Sequence, residues 1–155
     1  MQSKRADVRI INSETLSDNW YILKKYTFDL QRRDGEWQRQ QREVYDRGNG
    51  ATILLYNREK KTVILTRQFR FPVFINGHED DLIEAAAGLL DNMAPESRIK
   101  AEAEEETGFH VTRVEKIFEA YMSPGSVTEK LYFYLAEYQP KDRTGVGGVI
   151  KAEGE

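Results

Sequence analysis

Apolar and polar positions alternate in several short runs of this chain, and those runs predict strands. In residues 20–30 (WYILKKYTFDL), Tyr26, Phe28 and Leu30 alternate with Thr27 and Asp29, the pattern of a half-buried strand. Asp34-Gly35 is a hairpin turn signal, and residues 37–45 (WQRQQREVY) would return from it. That second run is basic and glutamine-rich, too poor in apolar positions to be buried on both faces. A hairpin so weakly apolar needs packing from elsewhere, and a second subunit would supply it. Residues 47–50 (RGNG) break the pattern. Residues 51–56 (ATILLY) then predict a buried strand, and residues 62–69 (TVILTRQF) its hairpin partner across a charged turn. A loop over 70–81, punctuated by Pro72 and Gly77, leads to a short strand at 82–84 and a turn built on Gly88. Residues 114–121 (VEKIFEAY) predict another strand. Residues 127–138 predict a long central one, with Leu131, Phe133 and Leu135 on one face and Tyr132, Tyr134 and Ala136 on the other, both buried. The glycine-rich run 140–155 reads as a mobile loop.

The period changes in the stretch 82–109 (LIEAAAGLLDNMAPESRIKAEAEEETGF). Pro95 suits a first helical turn and Gly108 the position just past a helix end, which predicts a helix over 95–107. Glu102, Glu105 and Glu106 fall at i, i+3 and i+4, on one face. Like charges at that spacing repel. A hard divalent cation would reverse the sign, and Mg2+ typically takes a few carboxylates together with substrate phosphates. A solvated acidic face is the other reading of the same run.

Composition narrows the partners. The 155 residues are enough for a domain with a core, and a charged fraction of 32% suits a soluble protein with a highly charged surface. A net charge of -3 gives no overall basic field to attract nucleic acid or anionic lipid. The absence of cysteine excludes disulfides and thiolate zinc sites and fits a cytoplasmic setting. No apolar run approaches the ~20 residues needed to cross a bilayer, and the charged start MQSKRADVRI lacks the apolar core of a signal peptide.

The stretch around the acidic helix resembles the Nudix box. Gly88 opens it, and Glu102, Ala103, Glu105, Glu106, Gly108 and Phe109 fill its second half. The match departs in three ways: the interval is one residue short, Ala94 stands at the first Glu position, and Ala101 stands at the Arg position. The family pairs those two missing groups, so losing both leaves neither charge unpaired. Glu96 and Arg98 are nearby partial substitutes in a different register. Further stretches are similar to the nucleotide-sugar branch of the family: 16–20 (LSDNW), 42–50 (REVYDRGNG), 67–70 (RQFR) and 121–129 (YMSPGSVTE). Pro124, placed as it is relative to the box, marks the ADP-ribose-type group.

The resemblance implies an α+β Nudix fold, a mixed β-sheet in an α/β/α sandwich, preceded by an N-terminal β-hairpin region. It divides the chain into a dimerisation and nucleotide-contact region, 1–47, and a hydrolase domain, 48–155, whose last strand and helix are missing, as in a truncated chain. It implies Mg2+-dependent hydrolysis of a nucleotide sugar's diphosphate, GDP-mannose to GMP and mannose 1-phosphate, with ADP-ribose as the alternative substrate. A nucleotide-binding Nudix module without turnover is the alternative of another class. The metal ligands would be the Ala87 carbonyl, Glu102 and Glu106, with Glu105 close by as a catalytic group. Glu153 would be the catalytic base and a further metal ligand, with Glu155 the alternative base. Arg70 would hold a phosphate, Gln41, Arg42 and Glu43 would meet the nucleotide from a partner's hairpin, and Glu129 would lie near the metals. Trp20 would stack on the base or pack in the leading sheet. Glu84 would orient the ligands or be an ordinary strand-end carboxylate. A homodimer is expected, with no nucleic-acid or membrane partner.

Overall fold

A computed structural model describes residues 7–148. Among them the chain forms two compact units: residues 7–48 with Tyr121–Glu129, and Asn49–Ala120 with residues 130–148.

The first unit is a three-stranded antiparallel sheet of β1 (Val8–Asp18), β2 (Ile22–Gln31) and β3 (Trp37–Asp46), in that order. The predicted hairpin is present as β2 and β3, turning through Gly35 at φ 93°. β1 adds a third strand, with register shifts between Ile10 and Asn12 and between Thr15 and Ser17. Cross-strand pairs hold the sheet together: Arg39, opposite Asp29, donates to both of its carboxylate oxygens at 2.9 and 3.0 Å. Arg9 lies 3.8 Å over the Trp37 ring.

The second unit is built on β4 (Gly50–Asn57). Along one edge β4 pairs in parallel with β10 (Lys130–Glu137), which in turn pairs with β9 (Glu115–Tyr121). Along the other edge β8 (Ala86–Leu89) takes residues 50–53, and β5 (Thr62–Ile64) takes residues 55–57. The 13-residue helix α2 (Pro95–Thr107) covers the face bearing Ala51, Ile53, Leu55, Tyr134 and Ala136 with its Ile99 and Ala103. Those side chains share a face because parallel pairing sets Tyr134 beside Ile53 and Ala136 beside Leu55.

Five expectations need correcting. The predicted partner strand 62–69 is split, because β8 already holds half of the β4 edge. After β5 the chain leaves β4, and β6 (Thr66–Gln68) pairs with β7 (Leu82–Glu84) instead. The loop 70–81 contains a short helix, α1 (Phe71–Ile75), with Pro72 in its first turn. Gly88 is a strand residue of β8, not the centre of a turn. The last long strand starts only at Lys130, because Ser126 and Thr128 are bonded to Tyr45 of the first unit. It is central by pairing but covered on one face: Leu131, Phe133 and Leu135 are half-buried. Finally, residues 140–148 are tied down. A 3-10 turn at Pro140–Asp142 accepts from the His110 N–H, Thr144 N–H donates to Gly108 at 2.8 Å, and Gly148 N–H donates to Glu106 at 2.9 Å. The last two bonds reach carbonyls at the end of α2, where helical partners run out. Glu104 joins them: the His110 ring beside it, and then the Thr144 hydroxyl that donates to it, hold its carboxyl below the usual range.

Gly108 ends α2 with φ 74°, and a Cβ there would sit 2.4 Å from the Gly145 carbonyl oxygen. Gly108→Ala is therefore expected to lower stability in urea denaturation by more than about 1 kcal/mol. Gly125→Ala, where a Cβ meets open space, should stay within about 0.5 kcal/mol of the parent.

Candidate active site

The acidic face of α2 is not uniform. Glu102 is buried at 6% exposure, Glu106 is half-buried, and the Glu105 side chain is 49% exposed. The helix turns Glu102 inward beside Ile99 and Ala103, onto β8. There it packs on Gly88, where a Cβ would lie 1.7 Å from Glu102 Oε1. Glycine at 88 is required by the carboxylate above it, not by a turn.

Arg98 organises this face. Its guanidinium pairs with Glu102 one turn ahead, reaches Glu105 at 3.3 Å through Nη1, and donates through Nε to the Leu89 carbonyl at 3.1 Å. One planar fork thus ties helix α2 to the end of β8 and offsets two of the three carboxylates. Arg98 supplies the positive charge that the box loses at Ala101. Glu96 does not complete the substitution, since it pairs with Lys100. On β8, the Ala87 N–H donates to Glu106 Oε2 at 3.1 Å, and the Ala86 carbonyl accepts from Thr52 Oγ1 at 3.1 Å. Ala87, Glu102 and Glu106 are therefore neighbours.

The donor chemistry of this group fits a hard cation: carboxylate oxygens and a backbone carbonyl, with no sulfur or imidazole. Among the described residues, no set of three or more His, Cys, Asp or Glu side chains is gathered into a cage. Mg2+ usually binds through one or two carboxylates and substrate phosphates rather than in such a cage.

Arg70 follows β6, and its Nε pairs with Glu84 Oε2 at 2.8 Å. Glu84 thus orients the arginine. Glu129, in the first unit, is ion-paired with Arg47 at 3.4 Å. On β3, Gln41 donates to Thr27 Oγ1 at 3.2 Å and Arg42 to Gln40 Oε1 at 3.0 Å, while Glu43 lies opposite Lys25. Trp20 is 85% exposed, so it is not packed in the sheet. Glu153 and Glu155 lie outside the described residues. Two residues escaped assignment from sequence. The pairing of Arg98 with two glutamates depends on where β8 ends. Gln68 is buried in β6, and an amide between Arg67 and Phe69 in a short strand is its only signal in the sequence.

Comparison with known proteins identifies the lineage. Residues 7–45 match the family described as "GDP-mannose pyrophosphatase NudK N-terminal domain". A GDP-mannose pyrophosphatase of Pectobacterium atrosepticum is 58% identical over 147 residues, 94% of this chain and 76% of that protein. The chain belongs to the GDP-mannose pyrophosphatase family. Other relatives of that name, from Enterobacter sp. and Citrobacter koseri, are 57% and 55% identical, each over 94% of this chain and 77% of the relative. A crystal structure of an ADP compounds hydrolase aligns with a TM-score of 0.67 and 20% identity, covering 92% of this chain and 75% of that one, which shows the shared fold. The chain thus has the α+β Nudix fold that its box implied. In the GDP-mannose pyrophosphatase family setting, the departures at Ala94 and Ala101 place the charge balance of the helix on Arg98.

Arg98→Met removes the cation from a buried carboxylate. It is expected to cost about 2 kcal/mol in denaturant unfolding. Lys100→Met, which breaks the exposed Glu96 pair, should cost no more than about 0.5 kcal/mol.

Proposed function

We propose that the chain hydrolyses the diphosphate bond of a nucleotide sugar, GDP-mannose, to GMP and mannose 1-phosphate. The observation that carries this reading is the 55–58% identity to GDP-mannose pyrophosphatases across 94% of the chain. Overall, one water is added across the P–O–P link: its oxygen bonds to one phosphorus, the bridging P–O bond breaks, and its protons pass to groups nearby.

Glu102, Glu106 and the Ala87 carbonyl would hold Mg2+. When bound, Mg2+ neutralises diphosphate charge and makes a coordinated water more acidic. Arg70, oriented by Glu84, would grip a phosphate as a planar fork. Glu105, the exposed carboxylate of the ridge, or Glu153 would take the proton from the attacking water. Support for Glu153 comes from the anchoring of Gly148 to the Glu106 carbonyl. Five further residues can span at most about 18 Å from there. Gln41, Arg42, Glu43 and Trp20 would meet the nucleotide, and Glu129 would approach the metals.

The same reading makes the protein a cytoplasmic homodimer in which the N-terminal sheet serves the partner's site. Its support is the exposure of Val8, Ile10 and Ile11 on β1, at the edge of a sheet without buried residues. No helix of the described residues is long and apolar enough to cross a membrane. One observation favours a second reading, a nucleotide-binding module without turnover: Arg98 occupies Glu102, which the first reading gives to the metal, and Glu105, which it gives to catalysis.

A panel of sugar nucleotides, with products separated by chromatography, distinguishes these readings. GDP-mannose should yield GMP under Mg2+, ahead of ADP-ribose; binding without any product would support the second reading. Glu106→Gln should keep its circular dichroism spectrum yet lose at least about 100-fold in turnover, since even groups that only support metal ligands cost 10–100-fold. Full activity in both Glu102→Gln and Glu106→Gln would remove the metal assignment.

A further inference from the structure

The hydrolase reading gives Glu102 to a divalent cation, yet Arg98 stands on that carboxylate. The contact is made by Glu102 Oε1, the same oxygen that lies over Gly88. The Arg98 side chain is 20% exposed and that of Glu102 8%, so water screens neither charge well. A guanidinium and a metal ion on one carboxylate repel each other, and the repulsion grows where water is scarce. The two therefore compete for Glu102.

Arg98 can give up Glu102 without leaving the site. Its Nε donates to the Leu89 carbonyl at 3.1 Å, and its Nη1 meets Glu105 at 3.3 Å. The Glu105 side chain is 49% exposed, so pairing with it demands little desolvation. One end of the fork is thus anchored on β8, while the other end faces two carboxylates. A small turn of the guanidinium moves it from the buried one toward the exposed one.

We propose that Arg98 is a built-in competitor of the cation: it neutralises Glu102 while no cation is bound, and shifts toward Glu105 when one binds. The proposal rests on the hydrolase reading, which assigns Glu102 to the metal. Its physical basis is the cost of a bare buried carboxylate, which Arg98 removes until a stronger positive charge replaces it. The sign of the effect separates this role from a simpler one. A residue that held Glu102 ready for the metal would strengthen metal binding; a competitor weakens it.

The test is the Mn2+ dissociation constant of the full chain with GDP present, read by electron paramagnetic resonance. Arg98→Met should bind Mn2+ about tenfold more tightly than the parent, although it is the less stable protein without metal. Arg98→Lys, which keeps the positive charge, should stay within about twofold of the parent. Equal or weaker binding by a folded Arg98→Met protein overturns the proposal. If that variant does not fold, the parent decides by nuclear magnetic resonance. Saturating Mg2+ with GDP should move the Arg98 Nε–H signal, assigned by its loss in Arg98→Lys, whereas GDP alone should not. A signal that Mg2+ leaves in place overturns the proposal. Failure of the hydrolase reading looks different: neither the parent nor Arg98→Met would then hold more Mn2+ than GDP binds by itself, and both ideas fall together.

Discussion

Glu102 lies buried on the backbone of Gly88, in an ion pair with Arg98, and the site around it depends on that contact. A carboxylate this far from water must be compensated, because desolvating a charge is expensive. Arg98 does so from one turn back along the same helix while holding the Leu89 carbonyl. The contact therefore fixes the distance between α2 and β8 as well as the charge. With any side chain at 88, the Glu102 carboxylate would have to leave its place over the strand that carries Ala87.

The same packing sorts three sequence-adjacent glutamates into different environments. Glu102 is inward and ion-paired, Glu106 accepts from Ala87, and Glu105 faces solvent. Identical side chains thus acquire separate chemistry from position alone. The turn after α2 adds a second constraint. Bonds from Thr144 to Gly108 and from Gly148 to Glu106 seat residues 140–148 on the helix end, where they also wall a cavity beside Gln68.

Much of this was legible in the sequence where the deciding forces are local. Pro95 and Gly108 bound α2 at the predicted residues, because proline fits a first turn and glycine tolerates the left-handed conformation after the last. β4 was readable from its unbroken apolar run. What escaped was decided by competition between distant segments. The strand expected over 62–69 breaks because β8 takes part of the β4 edge. The strand at 127–129 is lost because Tyr45 bonds that segment instead. Gly88 reads as a turn residue because nothing in the sequence reveals the side chain above it. Arg98 stood out only as a charge near the box, in the wrong register. Its function appears once the end of β8 is placed beside it.

The central claim is that Glu102 and Glu106 present oxygens to a divalent cation that bridges to a diphosphate. Mn2+, a paramagnetic stand-in for Mg2+, allows this to be read directly. Titration of Mn2+ into the protein with GDP, followed by electron paramagnetic resonance, should show saturable bound metal that depends on the nucleotide. The doubly substituted Glu102→Gln/Glu106→Gln protein should show only the metal that GDP binds by itself. Equal protein-bound Mn2+ in both proteins, with GDP present, would contradict the account.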